Sequence, residues 1–600
     1  MKETTNQTTL SENLSTKKEQ PLTNQSPNPS STTKKTMKKV TAEELATKQR
    51  DIGVAEFFAK NRHLLGFDNK RKALLTTIKE AVDNSIDACE EAGILPEISV
   101  EIIDMDNDRF RVVIEDNGPG IIKQQVPQIF AKLLYGSKFH SLKQSRGQQG
   151  IGISASVMYG QLTTGRPSKI ISKTAPEKPA YWCDLKIDTA KNKPDIVKEG
   201  EKDWIKDHGT KIQIDLEGSY QKGGQSVDEY LKQTAVVNPH VTIVYTNPKA
   251  EQIIFPRATK EQPMLAEEIK PHPYGVEFGV LQKMIDTTST KTLQHFFTTE
   301  FSKVSPKVVK EICELARLLP SQKIKKINHE DIQKILQAIP QVKIQAPSAD
   351  CISPITAELL EKGIKKEVNA EFYTSVTRQP AVYRGNPFQI EVSLAYGGFQ
   401  LKDKHANIMR FANRVPLLFQ QGACCVTKAI QSINWKPYGL HQSRGSLPVG
   451  PITILVHMSS VWVPFTSESK EAIAHYPEIL EEIKKALQEA GRQLAKYTAK
   501  KSRVNSELKK RSYIQKYMTH VAAGIKEILN ISDSQEQDLI KKLELILEQK
   551  RGELDTMEFD PTKNTEYDEE WVKIGKEEND GLDDDGDNKE FEEENFENNN

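Results

Sequence analysis

Glu80 and Asn84 stand four residues apart in the run Glu80-Ala-Val-Asp-Asn-Ser-Ile-Asp-Ala88. Around them Leu74, Leu75, Ile78, Ala81, Val82 and Ile86 recur at helical spacing, and residues at i and i+4 of a helix share one face. Asp87 joins that face at i+7. A glutamate can polarise a water, and a carboxamide oxygen is a hard ligand suited to Mg2+. The pair therefore suggests nucleotide hydrolysis. A solvated helix face carrying chance acids explains the same spacing equally well, so other residues must decide.

Three further segments bear on that choice. Asp116-Asn-Gly-Pro-Gly120 directly follows an apolar strand pattern. It leaves an acceptor carboxylate beside glycine backbone that a ligand can approach closely, and such a carboxylate can accept from an exocyclic amine such as that of adenine. Arg146 opens a loop of Gly147, Gln148, Gln149, Gly150, Ile151, Gly152, Ile153 and Ser154 ahead of a helical pattern. Such a loop offers free N–H groups and a helix N-terminus, where phosphate is favoured. Ser137 and Lys138 lie just upstream, where they could bracket a nucleotide. His208-Gly-Thr210 opens the strand pattern Lys211–Leu216, which places the Thr210 hydroxyl to support Asp116. Neither a GxxxxGK[ST] loop nor a strand-linked GxGxxG is present, which excludes a P-loop and disfavours a dinucleotide fold.

These segments need a scaffold. The spacing predicts a short amphipathic element over 52–64, then the helix carrying Glu80. Strands are expected at 98–103 and 110–115, joined by an Asp/Asn hairpin turn at 104–108 rather than a metal loop. A helical, glycine-punctuated stretch follows over 126–160, with strands at 169–174, 180–188 and 210–216. Residues 274–345 read as almost wholly helical, with prolines at 306, 320 and 340 as breaks. Strand patterns return at 388–395 and 449–463. A long amphipathic helix is expected over 467–500 and another over 505–550.

With 600 residues the chain exceeds one core and implies three to five domains. Its formal charge of zero is segregated: twelve acids and two lysines fall in 576–600, a local −10 that leaves +10 on the remainder. The acidic end and the Ser/Thr/Asn/Lys-rich start read as disordered tails. The short basic stretches Ser321–Lys326 and Lys362–Lys366 could contact DNA phosphates or be solvated helix ends. Six cysteines without CxxC or Cys/His spacing argue against zinc and disulfides and for a reducing compartment. No apolar run is long enough to span a membrane.

In order, ExxxNxxDA, DxGxG, a glycine-rich lid and Gly-Thr before a strand resemble the motif set of the GHKL ATPases. The sensor-kinase branch is disfavoured, because no phospho-acceptor histidine helix precedes the set. Leu134-Tyr-Gly-Ser-Lys-Phe139, Pro271-His-Pro-Tyr-Gly-Val-Glu-Phe278, Val382-Tyr-Arg-Gly-Asn-Pro-Phe388, Met409-Arg-Phe-Ala-Asn-Arg-Val415, Trp435-Lys-Pro-Tyr438 and Val461-Trp-Val-Pro-Phe-Thr-Ser-Glu-Ser-Lys-Glu-Ala472 narrow the choice. Over roughly 50–500, in order, the chain resembles the B subunits of topoisomerase VI, the type IIB enzyme.

The resemblance implies an α+β multidomain fold. Its parts would be a disordered tail (1–47), a GHKL (Bergerat) ATPase α/β sandwich with an N-terminal strap (48–270) and a helix-two-turn-helix unit (271–345). A ribosomal-S5-like transducer (346–505), a helical extension (506–555) and an acidic tail (556–600) would follow. It implies ATP and Mg2+, with Glu80 as general base, Asn84 as Mg2+ ligand, Asp116 reading adenine, residues 147–154 as phosphate lid, and Lys436 reaching from the transducer to the γ-phosphate. It also implies ATP-driven homodimerisation of the ATPase domains, double-stranded DNA as substrate, a DNA-cleaving A subunit in an A2B2 heterotetramer, and a cytoplasmic, nucleoid-associated location. The alternative from the same motifs is another GHKL clamp ATPase, of mismatch-repair or chaperone type.

Overall fold

The structure is a computed structural model and describes residues 41–47, 52–138, 141–147, 150–467 and 469–551. The expectations for residues 1–40 and 552–600, and for Gln148 and Gln149, lie outside the described residues. The described residues up to Ile52 belong to one unit and those from Gly53 to another. In the first, helix α1 (Ala42–Ala46) stands where a featureless tail is expected. Its Ala-Glu-Glu-Leu-Ala sequence is all strong helix formers, and Leu45 N–H donates to Thr41 O at 3.0 Å.

The second unit opens with α2 (Val54–Lys60), a single 3₁₀ turn (Arg62–Leu65) and α3 (Lys70–Glu91). Asn69 caps α3, its side chain accepting from Lys72 N–H at 2.8 Å. Leu74, Ile78, Val82 and Ile86, spaced by four, are all buried, and they press α3 onto a sheet.

That sheet is built from β1 (Glu97–Asp104), β2 (Arg109–Glu115), β3 (Ser168–Lys173), β4 (Ala180–Asp188), β5 (Lys193–Lys202), β6 (Gly209–Glu217), β7 (Thr242–Thr246) and β8 (Gln252–Phe255). Their order is β5-β4-β3-β6-β2-β1-β7-β8, antiparallel except for β1 with β7. In β1 buried Ile98, Val100 and Ile102 alternate with exposed residues, the mark of a sheet covered on one face. The covering layer is α3 with α4 (Val126–Ala131), α5 (Gly152–Thr164) and α6 (Val227–Val237). The β1–β2 turn is the expected hairpin: Asp106, Asn107 and Asp108 all adopt left-handed backbone. The stretch 126–160 is not one helical region. A loop from 132 to 151 separates α4 from α5 and leaves the glycines irregular.

Helices α7 (Phe278–Thr287), α8 (Leu293–Glu300), α9 (Pro306–Ala316) and α10 (His329–Ala338) pack around their own core of Leu281, Phe296, Phe297, Ile312 and Ile335. After α11 (Ala357–Glu367) comes a second sheet: β9 (Phe372–Thr377), β10 (Ala381–Tyr383), β11 (Asn386–Tyr396), β12 (Asn407–Ala412), β13 (Val415–Pro416) and β14 (Ile452–Ser460). Its central strand β14 is buried along its whole length, between β11 and β12. Helix α12 (Cys425–Ser432) and the first part of α13 (Pro477–Leu529) cover it.

The C-terminal helices differ from expectation. α13 is one helix of 53 residues, not two elements meeting near 500. The polar stretch 500–506 contains no proline or glycine to stop it. The break falls at Asn530, in left-handed backbone, and α14 (Asp533–Arg551) packs against α13.

Candidate nucleotide site

The face of α3 opposite its apolar stripe carries Glu80 and Asn84, half-buried and exposed respectively. Both open into a cleft of about 570 Å³ between α3, the strand β2 exit, the loop before α5 and a part of the second sheet. Ser137, Lys138, Gly147, Gly150, Ile151, Gly152, Ile153 and Thr210 also line it. The spacing reading holds for the geometry. Glu80 and Asn84 do share a face, and that face is the floor of the cleft.

The loop ahead of α5 crosses close over both. A Cβ built on Gly152 would fall 1.7 Å from Glu80 Oε2, and one on Gly147 would fall 3.5 Å from Asn84 Oδ1. Only glycine lets the α5 N-terminus sit on the carboxylate. Ser154 does not face the cleft: it is buried within the first turn of α5, its hydroxyl donating to Ile151 O at 2.9 Å.

Asp116 is buried and held by three donors. Gly118 N–H and Thr210 N–H reach its Oδ1 at 2.9 and 3.0 Å, and the Ser85 hydroxyl reaches Oδ2 at 2.9 Å. Burial pushes its carboxyl above the ordinary value, against the pull of those hydrogen bonds. The support from Thr210 thus runs through its backbone, not the hydroxyl as expected, and Ser85 supplies the hydroxyl. Gly209 makes this register possible, since a Cβ there would lie 2.3 Å from Asp116 O.

Asp87 is turned from the cleft toward Lys138 and the start of the glycine loop. Its carboxylate takes Lys138 Nζ at 2.6 Å and Arg146 Nη1 at 2.7 Å. Arg146, the first residue of the glycine loop, is buried and also forks onto Glu90 at 2.7 and 2.8 Å and donates to Asn238 at 2.5 Å. His240 Nε2 meets the same Glu90 at 2.8 Å. Burial opposes the charge on Glu90, but the guanidinium of Arg146 with His240 and Arg414 holds its carboxyl well below the usual range. The end of α3 thereby anchors the lid root. The sequence shows no sign of this, because Asp87, Arg146, Asn238 and Arg414 are scattered along 328 positions.

The second sheet contributes Pro416, Leu418, Phe419, Ser469, Lys470 and Glu471 to the cleft. The lysine that arrives from it is therefore Lys470, whose Nζ donates to Arg146 O at 2.9 Å. Lys436 does not reach the site. Its neighbour Trp435 is fully buried in the second core, with Nε1 donating to Ile430 O at 2.8 Å. Tyr438 packs against Gly491 of α13, and Lys436 itself is left exposed. A buried tryptophan fixes the direction of the short turn, and that direction is outward.

Of the two basic stretches, the one on α11 has two of its three lysines paired within the helix. Lys362 pairs with Glu358 at 2.7 Å and Lys365 with Glu361 at 2.6 Å, and Lys366 donates to Pro256 O. Lys325 and Lys326, beside α10, are exposed. Among the described residues no cluster of three or more His, Cys, Asp or Glu could hold a metal, and no helix is long and apolar enough to cross a membrane. The six cysteines are all buried and unbridged.

Residues 69–220 match the family described as histidine kinase-, DNA gyrase B- and HSP90-like ATPase, and residues 347–511 match the topoisomerase VI B subunit transducer. The B subunit of type 2 DNA topoisomerase 6 from Methanosarcina mazei is 50% identical over 489 residues, covering 81% of this chain and 79% of the relative. That of Archaeoglobus fulgidus is 47% identical over 486 residues, covering 81% and 80%. That of Pyrococcus horikoshii is 37% identical over 556 residues, covering 84% and 96%. Relatives at this identity over most of both chains place the protein in the family of topoisomerase 6 B subunits.

Proposed function

We propose that this chain is the ATP-binding and ATP-hydrolysing subunit of a type IIB DNA topoisomerase. ATP binding would close two copies through their ATPase domains, with the segment about 45–65 strapped across. Closure traps one duplex, and the second sheet relays it to a DNA-cleaving A subunit in an A2B2 assembly, working in the cytoplasm on nucleoid DNA. The observation that carries the reading is the floor of the cleft: Glu80 and Asn84 lie close beneath Gly152 and Gly147, and Lys470 lines the same cleft.

In hydrolysis Glu80 takes a proton from the attacking water as that water's oxygen bonds to the γ-phosphorus, and the bond to the bridging oxygen breaks. Asp116 accepts from the adenine amine, so the base is read at one end of the cleft. The N–H groups from Gly150 to Ile153 and the α5 N-terminus face the phosphates. Lys470 meets the γ-phosphate charge, so its loop feels whether that phosphate is present. Asn84 offers one hard oxygen at an exposed position, which suits Mg2+, an ion held mostly by water and phosphate oxygens that would neutralise phosphate charge there.

The test is reconstitution. The full chain with an active A subunit should relax supercoiled DNA and unlink catenanes only with ATP, and a nonhydrolysable analogue should support dimer closure without turnover. Absence of ATP-dependent strand passage with a demonstrably competent A subunit would defeat the reading.

A further inference from the structure

The loop that carries Lys470 is a narrow excursion of the second sheet's end. Phe465 bridges Ile473, Thr466 N–H donates to Ala472 O at 2.9 Å, and Lys470 N–H turns back to Ser467 O at 3.1 Å. Lys470 sits in left-handed backbone at φ 53°, a conformation that a lysine holds only where its surroundings over-determine it. The next residue supplies a surrounding. Glu471 is 5% exposed, far from the usual place of a glutamate, and its carboxylate pairs with Lys72 on the first turn of α3. The other oxygen accepts from Gln420 Nε2 at 2.5 Å.

Lys72 is itself enclosed. Its side chain is 14% exposed, reaches Asp68 at 3.1 Å and lies 5.5 Å over the Phe419 ring. Just before α3, Gly66 turns in left-handed backbone, and a Cβ there would lie 3.6 Å from Lys72 Cε and 3.7 Å from Ser469 Cβ. The start of α3, the segment leading into it and the lysine loop thus meet around one ion pair. We propose that the Lys72–Glu471 pair is the latch that sets Lys470 against the phosphate end of the cleft, which makes Lys72 and Glu471 positioning residues for ATP hydrolysis.

The physical argument is one of distance and burial. Glu471 and Lys470 are consecutive, so their Cα atoms are about 3.8 Å apart and a fixed Glu471 fixes the root of the Lys470 side chain. A buried carboxylate stays where its counter-ion is, since moving away would strand both charges in a poorly solvated place. A displacement of about an ångström at a charge-stabilising group is enough to cost most of its effect.

This inference rests on reading Lys470 as the residue that meets the γ-phosphate. It is tested on the full chain by measuring ATP turnover and, separately, affinity for a nonhydrolysable analogue, for Lys72→Met, Glu471→Gln, the double variant and Lys72→Arg. Each single neutral variant should lower kcat about tenfold or more while analogue affinity stays within about twofold. The double variant should be no worse than the poorer single, because both act through one pair. Lys72→Arg keeps the charge and should retain most of the turnover. Unchanged kcat in the singles, additive losses in the double, or an affinity loss as large as the kcat loss would overturn the latch. If Glu471→Gln does not fold, the Lys72→Met and Lys72→Arg contrast decides alone. Lys470→Ala separates the two readings. If it turns over normally, the sensor reading fails; if it is inactive while the latch variants behave as wild type, only the latch fails.

Discussion

Gly152 and Glu80 are in such close approach that a methyl group on the glycine would occupy the glutamate's carboxylate, 1.7 Å from Oε2 and 2.4 Å from Cδ. The lid helix therefore begins on top of the residue proposed to activate water. The start of α5 cannot gain a side chain at this position without displacing Glu80. Gly152→Ala should fold, since the atoms in the way are the flexible end of the half-buried Glu80 side chain, yet lose about 10²-fold or more in ATP turnover by mispositioning Glu80. Steady-state hydrolysis with a thermal unfolding control checks both halves.

Glu80→Gln keeps the size and hydrogen-bonding reach of the side chain and removes the base. Nucleotide binding, followed by fluorescence or calorimetry, should be within a few-fold of wild type, and turnover should fall by about 10²-fold or more. Normal turnover in this variant would remove Glu80 from the chemistry.

The two transducer-side lysines make a paired prediction. Lys470→Ala should strongly reduce hydrolysis because Lys470 lines the cleft and Lys436 does not. Lys436→Ala should leave hydrolysis by the isolated chain unchanged, because the side chain is exposed on the far side of a buried Trp435. The reverse outcome would restore the assignment made from the Trp435-Lys-Pro-Tyr438 motif.

Asp116→Ala removes one acceptor and strands three donors, those of Ser85, Gly118 and Thr210. Nucleotide affinity should fall by about 10- to 100-fold, and the protein should lose about 1–3 kcal/mol of stability from the unpaired buried groups. The ATP preference over GTP shown by the wild type should be lost in Asp116→Ala, which would show that discrimination depends on this carboxylate.

Asp83, one turn from Glu80, sets a pH dependence of stability. Burial, reinforced by Glu80, pushes its carboxyl up to about 6, although Lys79 and the Tyr230 hydroxyl, 2.8 Å away, oppose this. In the unfolded chain the group titrates near 3.9. Between those values the folded protein holds a proton that the unfolded chain has released, so this group's contribution to stability falls as pH rises through that window. Asp83→Asn should therefore be more stable than wild type at about pH 7.5, by about 1–3 kcal/mol, with the difference vanishing below about pH 4. Urea unfolding at the two pH values tests the sign.

The sequence by itself determined the local parts. Periodicity placed α3 and put Glu80 and Asn84 on one face, because a helix face follows from spacing alone. Strand alternation and the Asp/Asn turn placed β1 and β2, and the order of the motifs pointed to the family. Tertiary structure decided which residues meet. It brought Lys470 rather than Lys436 to the cleft, since the direction of each turn is set by a packed neighbour, Trp435 in one case and Glu471 in the other. It turned Ser154 into α5 and made Ser85 a partner of Asp116 across 31 positions. It gathered Asp87, Glu90, Arg146 and His240 into the root of the lid, a set of charges stable only where burial and pairing coincide. Such partnerships depend on how sheets stack and loops turn, and no local pattern in the chain carries that information.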